Sequence, residues 1–256
     1  AAINNAYPVA DVAPVLSMLV AQTRAELLKL LRTPEFLLFT LGLPIVLFVF
    51  LGTSSGATPA IRLAGFAAYG AMSVMLSAFG VRVAVERGQR VHLLARATPL
   101  RPAVEFGARV VTAVAFTAVM LVAPFGVGIA FGSVRLPIST WGALAVTVLL
   151  GSLPFVAAGL WLGYQVRPTS APAAVNLIVL VLAFASGYFV PIAQLPALAQ
   201  QLAPMLPTYQ VGVLAWHAVG GPLDSLRPPI VWLAGYTLAF AFLALRAYRR
   251  EEGRSS

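Results

Sequence analysis

Residues 110–134 read VVTAVAFTAVMLVAPFGVGIAFGSV, without one Asp, Glu, Lys or Arg. A helix rises 1.5 Å per residue and needs about 20 apolar residues to cross a hydrocarbon core about 30 Å thick. This run is long enough, and ionised side chains are too costly in hydrocarbon for their absence to be neutral. Working outward, charge-free gaps recur at Phe36–Ile61, Leu63–Val81, Leu136–Val166, Pro168–Leu223 and Pro228–Leu245. Each can hold one span, which predicts an all-α, polytopic membrane protein of about six transmembrane helices near 36–52, 63–84, 108–131, 141–164, 171–190 and 229–246.

Composition agrees with that reading. Hydrophobic residues make up 60% of the chain, charged residues 10%, and the mean hydropathy is +0.89. A soluble domain carries roughly 25% charged residues, so too few charges are present to cover a water-facing surface. Cysteine is absent, which excludes disulfide frameworks, zinc-thiolate sites and thiol catalysis.

The net charge of +9 suggests nucleic acid until the basic residues are placed. With the N-terminus inside, the cytoplasmic set is Arg24, Lys29, Arg32, Arg82, Arg87, Arg90, Arg96, Arg101, Arg109, Arg167, Arg246, Arg249, Arg250 and Arg254. Only Arg62, Arg135 and Arg227 fall outside. Cytoplasmic loops retain Lys and Arg, so the charge marks sidedness rather than a nucleic-acid partner, and both termini are expected in the cytoplasm of a cell (inner) membrane protein. The first basic residue is Arg24, so no cleavable signal is expected.

Residues 1–14 read as an extended tail. Over 15–34, Leu16, Val20, Leu27 and Leu31 share one helical face while Gln22, Glu26 and Lys29 lie away from it. That pattern predicts an N-terminal amphipathic interfacial helix ending at Pro34, an N-terminal extension of the first span being the alternative. The transmembrane domain then occupies 35–250, with a cytoplasmic tail at 251–256. Segment 191–227 is too long for a simple loop and is broken by Pro191, Pro196, Pro204 and Pro207. Two short helices dipping into the outer face fit it, provided protein covers their irregular backbone. Span two carries Ala64, Ala67, Ala68, Ala71, Ser73 and Ser77, small residues that allow close helix approach either between subunits or within one.

Two motifs carry a family resemblance. The first is Glu86-Arg87-Gly88-Gln89-Arg90-Val91 followed by His92-Leu93-Leu94-Ala95-Arg96-Ala97-Thr98-Pro99-Leu100. It resembles the E-R-x-x-G-T-x-x-x-L-x-x-T-P-L pattern of ABC-2 exporter permeases, departing from it where Arg90-Val91 replaces Gly-Thr and Ala95 replaces leucine. The second, Gly187-Tyr188-Phe189-Val190-Pro191 through Leu195-Pro196 to Pro204 and Pro207, resembles the same family's G-x-x-x-P-x-x-x-[LM]-P segment before the last span.

The resemblance implies that cytoplasmic segment 85–105 couples to an ATPase through Glu86, Arg87, Thr98, Pro99 and Leu100. It also implies that Gly187, Pro191, Leu195, Pro196, Pro204 and Pro207 build an outer gate within the re-entrant helical segment. The implied partners are ABC ATPase subunits, which hold ATP and magnesium, a second permease copy or homologue, and membrane lipid. Without the resemblance, a solvated basic loop and a proline-punctuated helix end would explain the two stretches.

Absences separate the mechanisms. The only lysine, Lys29, follows Leu28 rather than the glycine of a phosphate-binding loop, so no ATPase site and no cofactor are expected in this chain. The proposed spans contain no Asp, Glu, His or Lys, which disfavours a proton- or ion-coupled secondary transporter, the alternative function. His92 and His217 lie outside the spans and have no other His, Asp or Glu three or four residues away. No nucleophile-base or metal-ligand arrangement falls in a span, so an intramembrane enzyme is disfavoured as well. The expected function is the permease subunit of an ATP-driven exporter for an amphipathic or hydrophobic cargo, such as a drug, a lipid or a lipid-linked glycan.

Overall fold

The computed structural model describes residues 58–89, 102–130 and 134–255, with the isolated positions 20, 24, 42 and 46; of 102–109 and 252–255 it describes the backbone alone. The expected tail, amphipathic helix and first span therefore lie outside the described residues, apart from those four positions. Among the described residues eight α-helices follow in order: α1 Pro59–Gly88, α2 Pro102–Ala130, α3 Ile138–Gly151, α4 Pro154–Gln165, α5 Ala171–Ala185, α6 Ala197–Leu202, α7 Pro207–Ala218 and α8 Arg227–Ser255. No strand occurs among the described residues. Among the described residues four stretches are long and apolar enough to cross a membrane: Pro59–Gly88, Val110–Ala130, Ile138–Gln165 and Arg227–Glu251. Ala171–Ala185 is a shorter apolar helix. The chain is an all-α polytopic membrane protein.

Local chemistry explains the helix ends. The Thr58 hydroxyl accepts from the Ile61 amide at 3.4 Å, and Pro59, whose missing N–H costs nothing at a first turn, opens α1. The fourth expected span, 141–164, is two helices in line rather than one. Pro154 cannot donate a backbone hydrogen bond, and Leu153 and Val156 instead donate to Leu150 and Leu153 in tight three-residue turns. The fifth expected span, 171–190, ends as a helix at Ala185. There Tyr188 donates to the Ala183 carbonyl and Gly187 to that of Phe184, a Schellman closure that needs a left-handed residue. Gly187 supplies it at φ 78°, and Gly220 does the same after α7 at φ 94°. At the other end of the chain, residues 251–255, expected as a tail, continue α8.

α1 is the centre of the bundle, packing against α2, α3, α4, α5 and α7. Its small residues Ala64, Ala67, Ala68, Ala71, Ser73 and Ser77 are buried within this chain, so packing inside one subunit accounts for them. The complementary surface is on α4, where Gly159 and Gly163, a G-x-x-x-G pair, face Gly80 and Val83 of α1. A Cβ at Gly159 would lie 2.9 Å from the Leu76 carbonyl oxygen, and one at Gly163 would lie 2.8 Å from the Val83 Cβ. Such backbone proximity is how helices gain dispersion energy where lipid offers no hydrophobic drive for association. The packing of Gly80 against Val175 brings α5 into the same junction.

α8 is peripheral. It packs on α4 and α7, and it leaves Ile230, Val231, Leu238, Phe242 and Leu245 exposed. An exposed apolar stripe of this kind suits hydrocarbon and would be a liability in water.

Candidate functional site

Two polar assemblies stand out in this apolar bundle, one at the C-terminal end of α1 and one beside its N-terminal half. At the C-terminal end, Glu86 and Arg87 belong to the last turn of α1 and point to different neighbours. The Arg82 Nε donates to Glu86 Oε1 at 2.8 Å, one helical turn away. Arg87 reaches across the bundle instead. Its Nε and Nη2 donate to Glu251 Oε1 of α8 at 3.2 and 3.1 Å, and its Nη1 donates to the Gly163 carbonyl of α4 at 2.9 Å.

Gly163 lies in the last turn of α4, where carbonyls have lost their helical partners and the helix dipole favours a cation. The guanidinium also sits over the Tyr164 ring, 5.5 Å from its centroid, and Tyr164 meets Tyr248 of α8 edge to face at 6.2 Å. Serving three such partners requires the planar, five-donor guanidinium; a lysine could not span them. Beside this junction a cleft of about 430 Å³ is lined by Tyr164, Gln165, Ala247, Arg250 and Glu251. Gly88 completes the approach, since a Cβ there would lie 2.6 Å from Pro168 Cγ in the α4–α5 turn.

The coupling residues expected from sequence thus divide. Glu86 and Arg87 are placed, both partly buried and both engaged within the chain. Thr98, Pro99 and Leu100 lie outside the described residues.

The second assembly is built by 186–210. Ser186 and Thr208, both fully buried, share a hydrogen bond between their hydroxyls, and the Tyr188 hydroxyl donates to the Thr208 carbonyl at 2.5 Å. Gln210 Nε2 donates to the Pro204 carbonyl at 2.5 Å, and the Tyr236 hydroxyl of α8 donates to the Met205 carbonyl. Gln200 Nε2 donates to Leu195 and Ala193 carbonyls at 2.8 and 3.3 Å. The bonds to the Ala193, Leu195, Pro204 and Met205 carbonyls satisfy acceptors that the proline-broken chain leaves outside regular α-helix.

The sequence-predicted residues fall on the corners of this segment. Gly187 ends α5; Pro191 opens a 3-10 turn at Ile192–Gln194; Pro196 precedes α6; Pro204 lies in a second 3-10 turn; and Pro207 starts α7. Leu195 contributes its carbonyl to Gln200.

Aromatic packing fixes the depth of the segment. Phe189 meets Phe66 and Tyr69 of α1 at 5.3 and 5.0 Å and Phe184 of α5 at 4.8 Å. Tyr69 lies ten residues into α1 and Tyr236 nine residues into α8, which is about 14–15 Å from each helix start at 1.5 Å per residue. The 186–208 turns are therefore level with the interior of the long helices rather than with their tips. α7 is covered by α1, α3 and α8, which meets the requirement that irregular backbone at such a depth be enclosed by protein.

Sequence reasoning missed Ser186, Tyr188, Thr208, Gln210 and Tyr236, although polar residues in an otherwise apolar stretch were the available signal. It also missed Gly159-x-x-x-Gly163, whose spacing was legible.

Arginines are distributed unevenly between the two ends. Arg82, Arg87, Arg167, Arg246, Arg249 and Arg250 belong to the end where α1, α4 and α8 terminate, while Arg62, Arg135 and Arg227 belong to the other.

Comparison with known proteins adds two findings. Residues 60–246, well over half of the chain, match the profile of the family described as ABC-2 family transporter protein. The chain is also similar to a protein of Bacillus subtilis (strain 168) that bears the name transport permease YvfS, at 25% identity over 244 residues that cover 93% of this chain and 99% of that one.

Proposed function

Because this chain belongs to the ABC-2 family of transporter proteins, and is thereby a membrane permease of an ABC transporter, we propose that it serves an exporter whose ATPase is a separate subunit. The observation that carries the proposal is the junction at the Arg-rich end. The last turn of α1 leads directly into segment 90–101, and the ends of α4 and α8 are drawn onto that turn by Arg87. A force applied to the segment by a nucleotide-driven partner would reach three helices at once. The same end carries most of the arginines of the described spans, which supports its placement in the cytoplasm together with both termini. The missing phosphate-binding loop supports a separate ATPase holding ATP and magnesium.

The assembly at 186–210 acts as the outer gate in this reading. Its short helices are pinned by side-chain hydrogen bonds to individual carbonyls rather than by long ladders, so a few broken contacts release it. A second permease copy or homologue completes the pathway, and the apolar spans suit an amphipathic or hydrophobic cargo: a drug, a lipid or a lipid-linked glycan. Nucleotide state shifts the population between inward- and outward-facing arrangements.

The test is reconstitution of the chain in lipid nanodiscs with and without a candidate ABC ATPase subunit from the same organism. ATP hydrolysis is expected only in the complex. In intact cells, single cysteines placed at Ser139 or Ser225, both exposed, should react with an impermeant maleimide, and one at Gln89 should not. ATP hydrolysis by the chain alone, or external labelling at Gln89→Cys, would overturn the reading.

A further inference from the structure

Arg87 is expected from the resemblance to meet the ATPase, yet three of its five N–H donors are engaged inside the chain. Two of its three donor nitrogens go to Glu251 and the third to the Gly163 carbonyl, with its face on Tyr164. A guanidinium bonded to both α4 and α8 is held in place by this chain's own helices.

The helix it holds has an unusual position in the bundle. α8 runs unbroken from Arg227 to Ser255, and its two prolines, Pro228 and Pro229, lie in its first turn where they do not interrupt the hydrogen-bond ladder. At 1.5 Å per residue its 29 residues span about 43 Å, longer than a hydrocarbon core of about 30 Å. Two side-chain anchors sit on it: Glu251, bound to Arg87, and Tyr236, which donates to the Met205 carbonyl of the outer segment. About 22 Å of continuous helix separates them. Between the anchors α8 packs through Trp161–Phe240 and Tyr164–Tyr248 pairs on α4, and its opposite face is exposed and apolar. α1 also reaches from the Arg87 turn to Phe189, but it packs against five helices and is the most buried of the described spans, whereas α8 is the least.

From this geometry we infer that Arg87 is a positioning residue. It clamps the start of the coupling segment to the inner end of α8, and α8 is the strut that passes displacement of that segment to the outer segment through Tyr236. The inference rests on the permease reading above and deepens it. The ATPase is recognised by other residues of the coupling segment, and Arg87 determines whether recognition is turned into movement at the far side.

The test begins with the chain alone, so that the clamp is measured without any ATPase. Spin labels at Gln89→Cys and Arg249→Cys, both exposed, should give one narrow distance distribution in nanodiscs, which Arg87→Ala broadens. Glu251→Ala should broaden it less, because the Gly163 and Tyr164 contacts remain. The double variant should broaden it by less than the sum of the two single changes, since the two side chains share a contact. An unchanged distribution in Arg87→Ala would overturn the clamp whatever the ATPase does.

In the complex, Arg87→Ala should co-purify with the ATPase as the unmodified chain does, yet lose on the order of tenfold in cargo-stimulated ATP hydrolysis. Tyr236→Phe should keep that stimulation while abolishing the nucleotide-dependent change in maleimide reactivity of a cysteine at Leu198, an exposed position of α6. Loss of ATPase co-purification in Arg87→Ala would make Arg87 a docking residue and refute the inference. A Tyr236→Phe chain that still shows the reactivity change would place transmission in α1 and refute the strut. Failure of the unmodified chain to associate with any ATPase would instead refute the permease reading, leaving the distance measurement to decide the clamp.

Discussion

Replacing Gly159 by alanine tests the α1–α4 junction on which the bundle is built. The added Cβ would lie 2.9 Å from the Leu76 carbonyl oxygen, 3.1 Å from the Phe79 Cβ and 3.2 Å from the Gly80 nitrogen. Ordinary contact begins near 3.4 Å, so α1 and α4 must separate locally by about 0.5 Å. All three atoms are backbone or Cβ, and no change of rotamer can move them away. Overpacking of this kind costs about 1–3 kcal/mol, offset by up to about 1 kcal/mol from the better helix propensity of alanine.

Gly142→Ala is the matched control. Gly142 lies in α3 with nothing within 4 Å of its built Cβ, so the propensity gain acts alone. The two variants should differ in stability by about 1–3 kcal/mol, with Gly159→Ala the less stable. Thermal unfolding of the purified chain in one detergent, followed by tryptophan fluorescence at a fixed heating rate, should show Gly159→Ala melting several degrees below Gly142→Ala. If Gly159→Ala melts at or above the control, close α1–α4 packing through this face is wrong.

Gly187→Ala should be more damaging than Gly220→Ala in the same assay. Both place a side chain at positive φ at a cost of about 1–2 kcal/mol, but only Gly187 also drives its Cβ to 2.5 Å from Ile192 Cγ1. Thr208→Val should destabilise by about 1–3 kcal/mol by leaving the buried Ser186 hydroxyl without its partner, and adding Ser186→Ala should recover part of the loss. A double variant worse than Thr208→Val by the full cost of the second change would argue against the bond.

Counting along one dimension was enough for part of this structure. The membrane class and the places of the second, third, fourth and sixth expected spans follow from the lengths of charge-free runs, because a bilayer imposes its thickness on every crossing alike. The α1, α2 and α8 regions were legible for that reason, and the break at Gly187 was legible as a glycine before prolines. Split crossings were less so, since the Ser152-Leu153-Pro154 turn leaves hydropathy untouched while redirecting hydrogen bonds.

Which helix faces meet is set by packing in three dimensions. Small residues on α1 are equally suited to a neighbour in the same chain or in another, until α4 is found against them with Gly159 and Gly163. Arg87 read as an exposed charge because nothing near it in sequence could bind it. Its partners, Gly163 and Glu251, are 76 and 164 residues away, and only the folding of α4 and α8 onto α1 brings them within hydrogen-bond distance. A charge at a helix end is solvated or clamped according to what else arrives there, and that arrival is a property of packing, which hydropathy along the chain does not encode.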